Sequence, residues 1–151
     1  CHPVIITNHV WTGAVIGAVA PGPVSAFAAG VASHFALDRT PHWGDDSIFL
    51  QVAVPDGLVG LTAMGLLARA TPPDRRARVL AGMLGACLPD ADKPSNLFFG
   101  RSPFPAALDE WHVSIQREHT GRLPQELLVA TVGLLAARWV LRHDRAGRRI
   151  R

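Results

Sequence analysis

Histidine and aspartate recur at spacings that bring them onto shared surfaces. His34 and Asp38 are four residues apart, so on a helix they occupy one face. Pro41 then turns the chain, and His42 can come back toward them. His112, Gln116 and His119 stand at i, i+4 and i+7, again one face. Leu88-Pro89-Asp90-Ala91-Asp92-Lys93-Pro94 presents two carboxylates at a helix end. His9 follows Asn8 near the start of an apolar run. Asp56 follows Pro55 inside another, where an ionisable group is costly unless paired or ligated. Imidazole plus carboxylate, with no thiolate, is the ligand set of a divalent metal: zinc first, with manganese or iron as alternatives. A cation offsets the repulsion and desolvation of clustered carboxylates. The candidate ligands are His9, His34, Asp38, His42, Asp56, Asp90, Asp92, His112 and His119. Nine exceeds the needs of one ion, so either two ions bind or some of the nine only orient the others. Two metals about 3.5–4 Å apart suit phosphoester hydrolysis. Glu118 and Asp92 are the candidate general bases.

Each residue also has a purely structural reading. His9 with Asn8 can cap the first helix. His34 and Asp38 can form a hydrogen-bonded pair closing a helix end. His42 can be a loop residue, and Asp56 can mark a helix restart after Pro55. Asp90 and Asp92 suit a turn between two prolines. His112 and His119 can decorate a solvated helix. A shared site gains on these readings because all of its members fall at one end of the deduced helices.

Those helices follow from the apolar pattern. The chain has 151 residues, 48% of them apolar and 18% charged, which excludes a disordered chain or a disulfide-stapled miniprotein. It reads as one helical domain, 1–151, with a basic tail from about residue 142. Five apolar segments emerge, at about 10–20, 24–37, 48–70, 77–88 and 124–141. Pro21-Gly22-Pro23 separates the first two, and Pro55 and Asp56 interrupt the third. Pro124 and Glu126 open the fifth as N-terminal signals. The stretch 89–123 is polar, with one short helix around 108–118. Strand signals are weak. The expectation is an all-α bundle of about five helices, embedded in a membrane. The third segment has a full span's length, about 20 residues, whereas the first, second and fourth are shorter. Cys1 and Cys87 are the only cysteines and form no CxxC, a pattern that does not point to a thiolate metal site or a redox motif.

If the segments alternate in direction, the charges separate. One end carries ten arginines, mostly at 69–78 and in the tail, against Asp74 and Asp144. The other carries five basic side chains, ten acids and most of the histidines. This is the positive-inside pattern of an inner-membrane protein with a cytoplasmic C-terminus. Membrane lipid and other membrane subunits are the expected partners. Nucleic acid is not, because the arginines are confined to a tail with Trp139 as the sole nearby aromatic.

Asn8-His9, Ser33-His34-Phe35-Ala36-Leu37-Asp38-Arg39-Thr40-Pro41-His42 and Leu88-Pro89-Asp90-Ala91-Asp92-Lys93-Pro94 together resemble the pattern of bacterial membrane-bound metal-dependent hydrolases. These are similar in turn to zinc-dependent phospholipase C-like proteins, and the likeness is strongest to their small members. It implies a helical, membrane-associated fold and a metal site in which His34, Asp38, Asp90 and Asp92 match best. Where better-known members carry an HRxxTHS-like segment, this chain has Trp111-His112-Val113-Ser114-Ile115-Gln116-Arg117-Glu118-His119. The implied activity is hydrolysis of a phosphoester or lipid headgroup on the extracytoplasmic side. The alternative is a non-catalytic transmembrane subunit of a larger complex, its His/Asp cluster structural.

Overall fold

A computed structural model describes residues 5–45 and 47–147. Cys1, His2 and the last four residues of the basic tail lie outside the described residues. The order is α1 (Ile6–Val19), α2 (Pro23–Asp38), β1 (Pro41–Trp43), α3 (Phe49–Ala70), α4 (Pro73–Cys87), a 3₁₀ turn (Leu88–Ala91), α5 (Asp92–Phe99), α6 (Ala106–Ile115), β2 (Arg117–His119), a second 3₁₀ turn (Thr120–Arg122) and α7 (Leu123–Gly147). The five expected helices correspond to α1, α2, α3, α4 and α7.

Proline and glycine set most of the boundaries. Gly22 caps α2, the Ser25 hydroxyl bonds back to the Gly22 amide and carbonyl, and Pro23 starts the helix with its φ preset. Pro73 opens α4 in the same way, with Asp74 favourably placed in its first turn. Gly100 ends α5 in the left-handed region, at φ 68°.

Three expectations are corrected. Helix α3 runs unbroken through Pro55, which is exposed, so the missing amide bond and any bend fall outside the packed face. The 89–123 stretch holds two short helices rather than one. It also holds a strand: β1 and β2 pair in parallel, with His42 opposite Glu118 and Trp43 opposite His119. Three-residue strands are too short to show an alternating pattern.

Helix α4 packs between α1 and α2, with Val79, Met83 and Ala86 wholly buried. Small residues make the approach possible. A methyl group at Gly13 or Gly82 would overlap the other helix's backbone, and one at Gly30 would lie 2.5 Å from the Gly82 carbonyl oxygen. Helices α3 and α7 flank α1 and present many apolar side chains outward. Among the described residues only Leu50–Ala70 is long and apolar enough to cross a membrane, and 17% of its most apolar window is buried.

The buried polar groups are not spread evenly. Asn8, His9, His34, Asp38, His42, Asp90, Asp92, His112 and Glu126 are all buried, and all lie at the pole where α1 and α7 begin and α2 and α4 end.

Gly82→Leu should destabilise the bundle by about 3 kcal/mol, the upper end for forcing volume into a packed core. Gly65→Ala, where an added methyl meets nothing within 4 Å, should instead stabilise it by about 0.5–1 kcal/mol. Unfolding midpoints of the two variants against the parent check both signs.

Candidate metal centre

His34 and Asp38 occupy the last turns of α2, on one face as their spacing predicts. Asp90 arrives on the 3₁₀ turn that follows α4, and His112 on α6. One ligand atom from each of these four lies within 4.8 Å of every other, and all four residues are buried. His112 Nε2 stands 2.7 Å from Asp38 Oδ2 and 3.1 Å from His34 Nε2. His34 Nε2 is 3.2 Å from the same Asp38 oxygen and 3.8 Å from Asp90 Oδ1. His9, in the first turn of α1, stacks on the His34 ring at 4.2 Å between centroids. Its Nε2 is 3.6 Å from Asp38 Oδ1 and 3.9 Å from Asp90 Oδ2. Five of the nine candidate ligands are thus brought together.

Orientation comes from the surrounding backbone. The His34 Nδ1–H donates to the Ala86 carbonyl at 2.8 Å, which turns Nε2 and its lone pair toward the cluster. Gln116 Nε2 donates to Asp38 Oδ2 at 3.3 Å. Phe35 packs edge-on to His34 and to His112.

The electrostatics leave a positive charge wanting. Burial pushes the Asp90 carboxyl up to about 7, with neighbouring Asp38 adding to the rise. Burial also works against the Asp38 anion, but hydrogen bonds from His112 and His34 outweigh it and hold that carboxyl below the usual range. Burial disfavours protonated His34, yet the bond to Asp38 raises its pKa overall. His9 is driven down to about 3 by burial and by His34, so its ring is neutral. Both nitrogens of His9, both oxygens of Asp90, Oδ1 of Asp38 and Oδ1 of Asp92 are buried without a hydrogen-bond partner. Each such orphan costs about 1–3 kcal/mol, more when charged.

These residues fit a metal ion. Ligands about 2.1 Å from a tetrahedral ion stand about 3.4 Å apart. The separations among His34, Asp38, Asp90 and His112 run from 2.7 Å up to at most 4.8 Å, a range that includes that value. An ion would also engage an orphaned oxygen of Asp90, and the orphaned Nε2 of His9 stands beside it, 3.6 Å from Asp38 Oδ1 and 3.9 Å from Asp90 Oδ2.

The other four candidates lie outside this cluster. Asp56 caps α1 from the neighbouring α3: its carboxylate accepts the Thr7 hydroxyl and, at 3.3 Å, the Thr7 amide. His42 is buried at the same pole, where its Nδ1–H donates to the Thr40 carbonyl at 2.9 Å. Asp92 bonds Lys93 through Oδ2, at 2.5 Å. Glu118 packs on Gly44, beside the strand pair. His119 is exposed and contributes its carbonyl to the Gly44 amide, at 3.4 Å.

The sequence reading missed Glu126 as part of this pole. Its carboxylate accepts the Asn8 amide at 2.6 Å and the backbone N–H groups of Trp43 and Ile5, tying α7 to α1 and β1. The available signal was an acid opening an apolar helix. Comparison of the chain with protein-family models, with curated proteins and with solved structures gives no match.

Metal analysis of the purified protein should find a bound divalent ion that both His34→Ala and Asp90→Ala lose. Asp56→Ala should keep the ion and lose about 1–2 kcal/mol of stability, as for a lost helix cap. Binding should also weaken with acid. An ion needs Asp90 ionised and His34 neutral, and without one both hold protons more tightly than usual. Below about pH 7 affinity should fall by about tenfold per pH unit for each proton displaced. Titrations at pH 6, 7 and 8 measure it.

Proposed function

We propose that the protein is a membrane-associated, metal-dependent hydrolase that cleaves a phosphoester. The observation that carries this reading is the set of orphaned imidazole and carboxylate atoms of His9, Asp38 and Asp90, gathered with His34 and His112 at one pole. Zinc suits the nitrogen-and-oxygen donors, with manganese or iron as alternatives. A bound divalent ion would polarise the phosphoryl group and ease deprotonation of water. His34, Asp38, Asp90 and His112 would hold it, with His9 beside them.

The remaining work falls to Asp92. Its Oδ1 is buried and unpaired, while Lys93 fixes the other oxygen. Asp92 takes a proton from the attacking water as the new P–O bond forms. The ester P–O bond breaks, and that proton passes to the departing alkoxide.

Membrane association rests on the outer face. Leu58 and Leu61 of α3 are 63% and 69% exposed, and Leu128 and Leu135 of α7 are 63% and 60% exposed. Side chains of that size rarely stand in water in contiguous sets. Helix α3 would cross the apolar layer. By the charge pattern, the metal pole would face the extracytoplasmic side of a bacterial inner membrane, with the C-terminus cytoplasmic.

A second reading draws on the complete burial of His9, His34 and Asp38. Such a centre can serve as a structural pin in a non-catalytic subunit of a larger membrane complex.

Assay of the detergent-purified, metal-loaded protein on bis-p-nitrophenyl phosphate separates the two. Turnover should fall by more than about a hundredfold in His34→Ala and Asp90→Ala, which lose the ion. Asp92→Asn should lose about 10²–10⁴ in kcat while keeping it, the usual span for a general base. Bound metal with no turnover on any phosphoester identifies the pin.

A further inference from the structure

Beside the metal centre lies a cleft of about 280 Å³, enclosed by α2, the 3₁₀ turn after α4, and α6. Its walls are Val31, Phe35, Leu88, Pro89, Phe104 and Leu108. Two more residues complete it, Asp109 and the metal-centre imidazole His112. The cleft is a little smaller than the usual small-molecule site, about 300 Å³ and upward, but shares its lining of apolar walls with few polar groups.

Three of the wall residues stand next to a ligand in the chain or on the helix. Phe35 follows His34 on α2, Pro89 precedes Asp90, and Leu108 sits one turn before His112 on the same face of α6. The His112 ring belongs to both spaces: it lines the cleft, while its Nε2 reaches Asp38. Leu88 and Leu108 are exposed, so the cleft reaches the surface at these two leucines.

We infer that this cleft seats the uncharged alkyl chain of the phosphoester whose phosphoryl group is cleaved at the metal centre. The inference rests on the hydrolase reading for the chemistry, but the occupant follows from the cleft itself. Apart from His112, Asp109 is the one polar side chain in its lining, too few groups to pair the several hydroxyls of a sugar, and no cation is there for a second phosphate. The sole carboxylate on its wall, Asp109, repels an anionic tail. An unbranched alkyl group meets both conditions, with its phosphoryl end at His112.

Alkylphosphonates test this without turnover, because they are not hydrolysed. Methyl-, butyl-, hexyl- and octylphosphonate are titrated into the metal-loaded protein in amphipol by calorimetry. Affinity should rise by about threefold to fourfold per methylene until the cleft is full. Val31→Phe and Leu108→Trp, one inside the cleft and one at its mouth, should abolish that increment. Both should keep the parent's metal content and its affinity for methylphosphonate, which reports that they are folded. A terminal carboxylate should weaken the hexyl ligand, and Asp109→Asn should restore part of the loss.

Affinity independent of chain length overturns the proposal. So does an increment that survives in both cleft-filling variants, since the tail then binds elsewhere on the apolar surface. If the increment behaves as expected but no phosphoester is turned over, the cleft stands and the hydrolase reading falls.

Discussion

Two buried aspartates that approach the same histidines set the terms for the rest of this fold. Asp38 and Asp90 both approach the Nε2 atoms of His9 and His34, and both carboxylates are buried. Imidazoles alone meet only part of the demand. Asp38 is served by His112 and His34, whereas both oxygens of Asp90 lack a hydrogen-bond partner. Without further positive charge the pair shares protons with the histidines around it, and Asp90 is the member that gives up its ionisation. A divalent cation removes that conflict at one stroke, because it takes electron pairs from every member and asks none of them to donate a proton.

The constraint explains why the interior is divided. Away from the pole, α1, α2 and α4 touch through glycine, alanine and valine, with backbones too close for larger groups at Gly13, Gly30 and Gly82. That closeness is what lets the far ends of the helices converge. Ala86, in the last turn of α4, offers its carbonyl to the His34 ring only because α2 and α4 are in near-backbone contact one turn earlier, at Gly30 and Gly82. The small-residue seam and the polar pole are two ends of one packing arrangement.

Much of the site was legible because its strongest part is local. His34 and Asp38 share a helix turn, and Asp90 sits where a proline ends α4, so spacing alone pointed to them. The limits are equally physical. Asp56 carried the same signal as a ligand, an acid in an apolar run, yet the unpaired amides of the α1 N-terminus claim it. Periodicity cannot say which neighbour reaches a carboxylate first. His119 fell off the cluster because α6 ends at Ile115 and the chain becomes a strand, which breaks the i, i+7 relation with His112. The Asn8–Glu126 bond joins residues 118 apart in the chain, a pairing that only the assembled bundle reveals. Membrane placement divides in the same way: charge asymmetry was plain in the sequence, but one helix of sufficient length does not define how the bundle meets a bilayer.

The ligand set is divided between two parts of the molecule. His34 and Asp38 belong to α2 and Asp90 to the turn that ends α4, two elements of the most tightly packed part of the chain. His112 comes from α6, which rests on α2 through aromatic contacts, Trp111 and His112 against Phe35. Those contacts are side-chain deep, without the backbone closeness of the glycine seam. An ion bound by all four ligands therefore does more than neutralise the carboxylates: it fastens α6 to the core and fixes one wall of the adjoining cleft. Metal affinity and the shape of the apolar cleft are coupled through a single imidazole, so whatever loosens His112 from Asp38 must also open the space beside it.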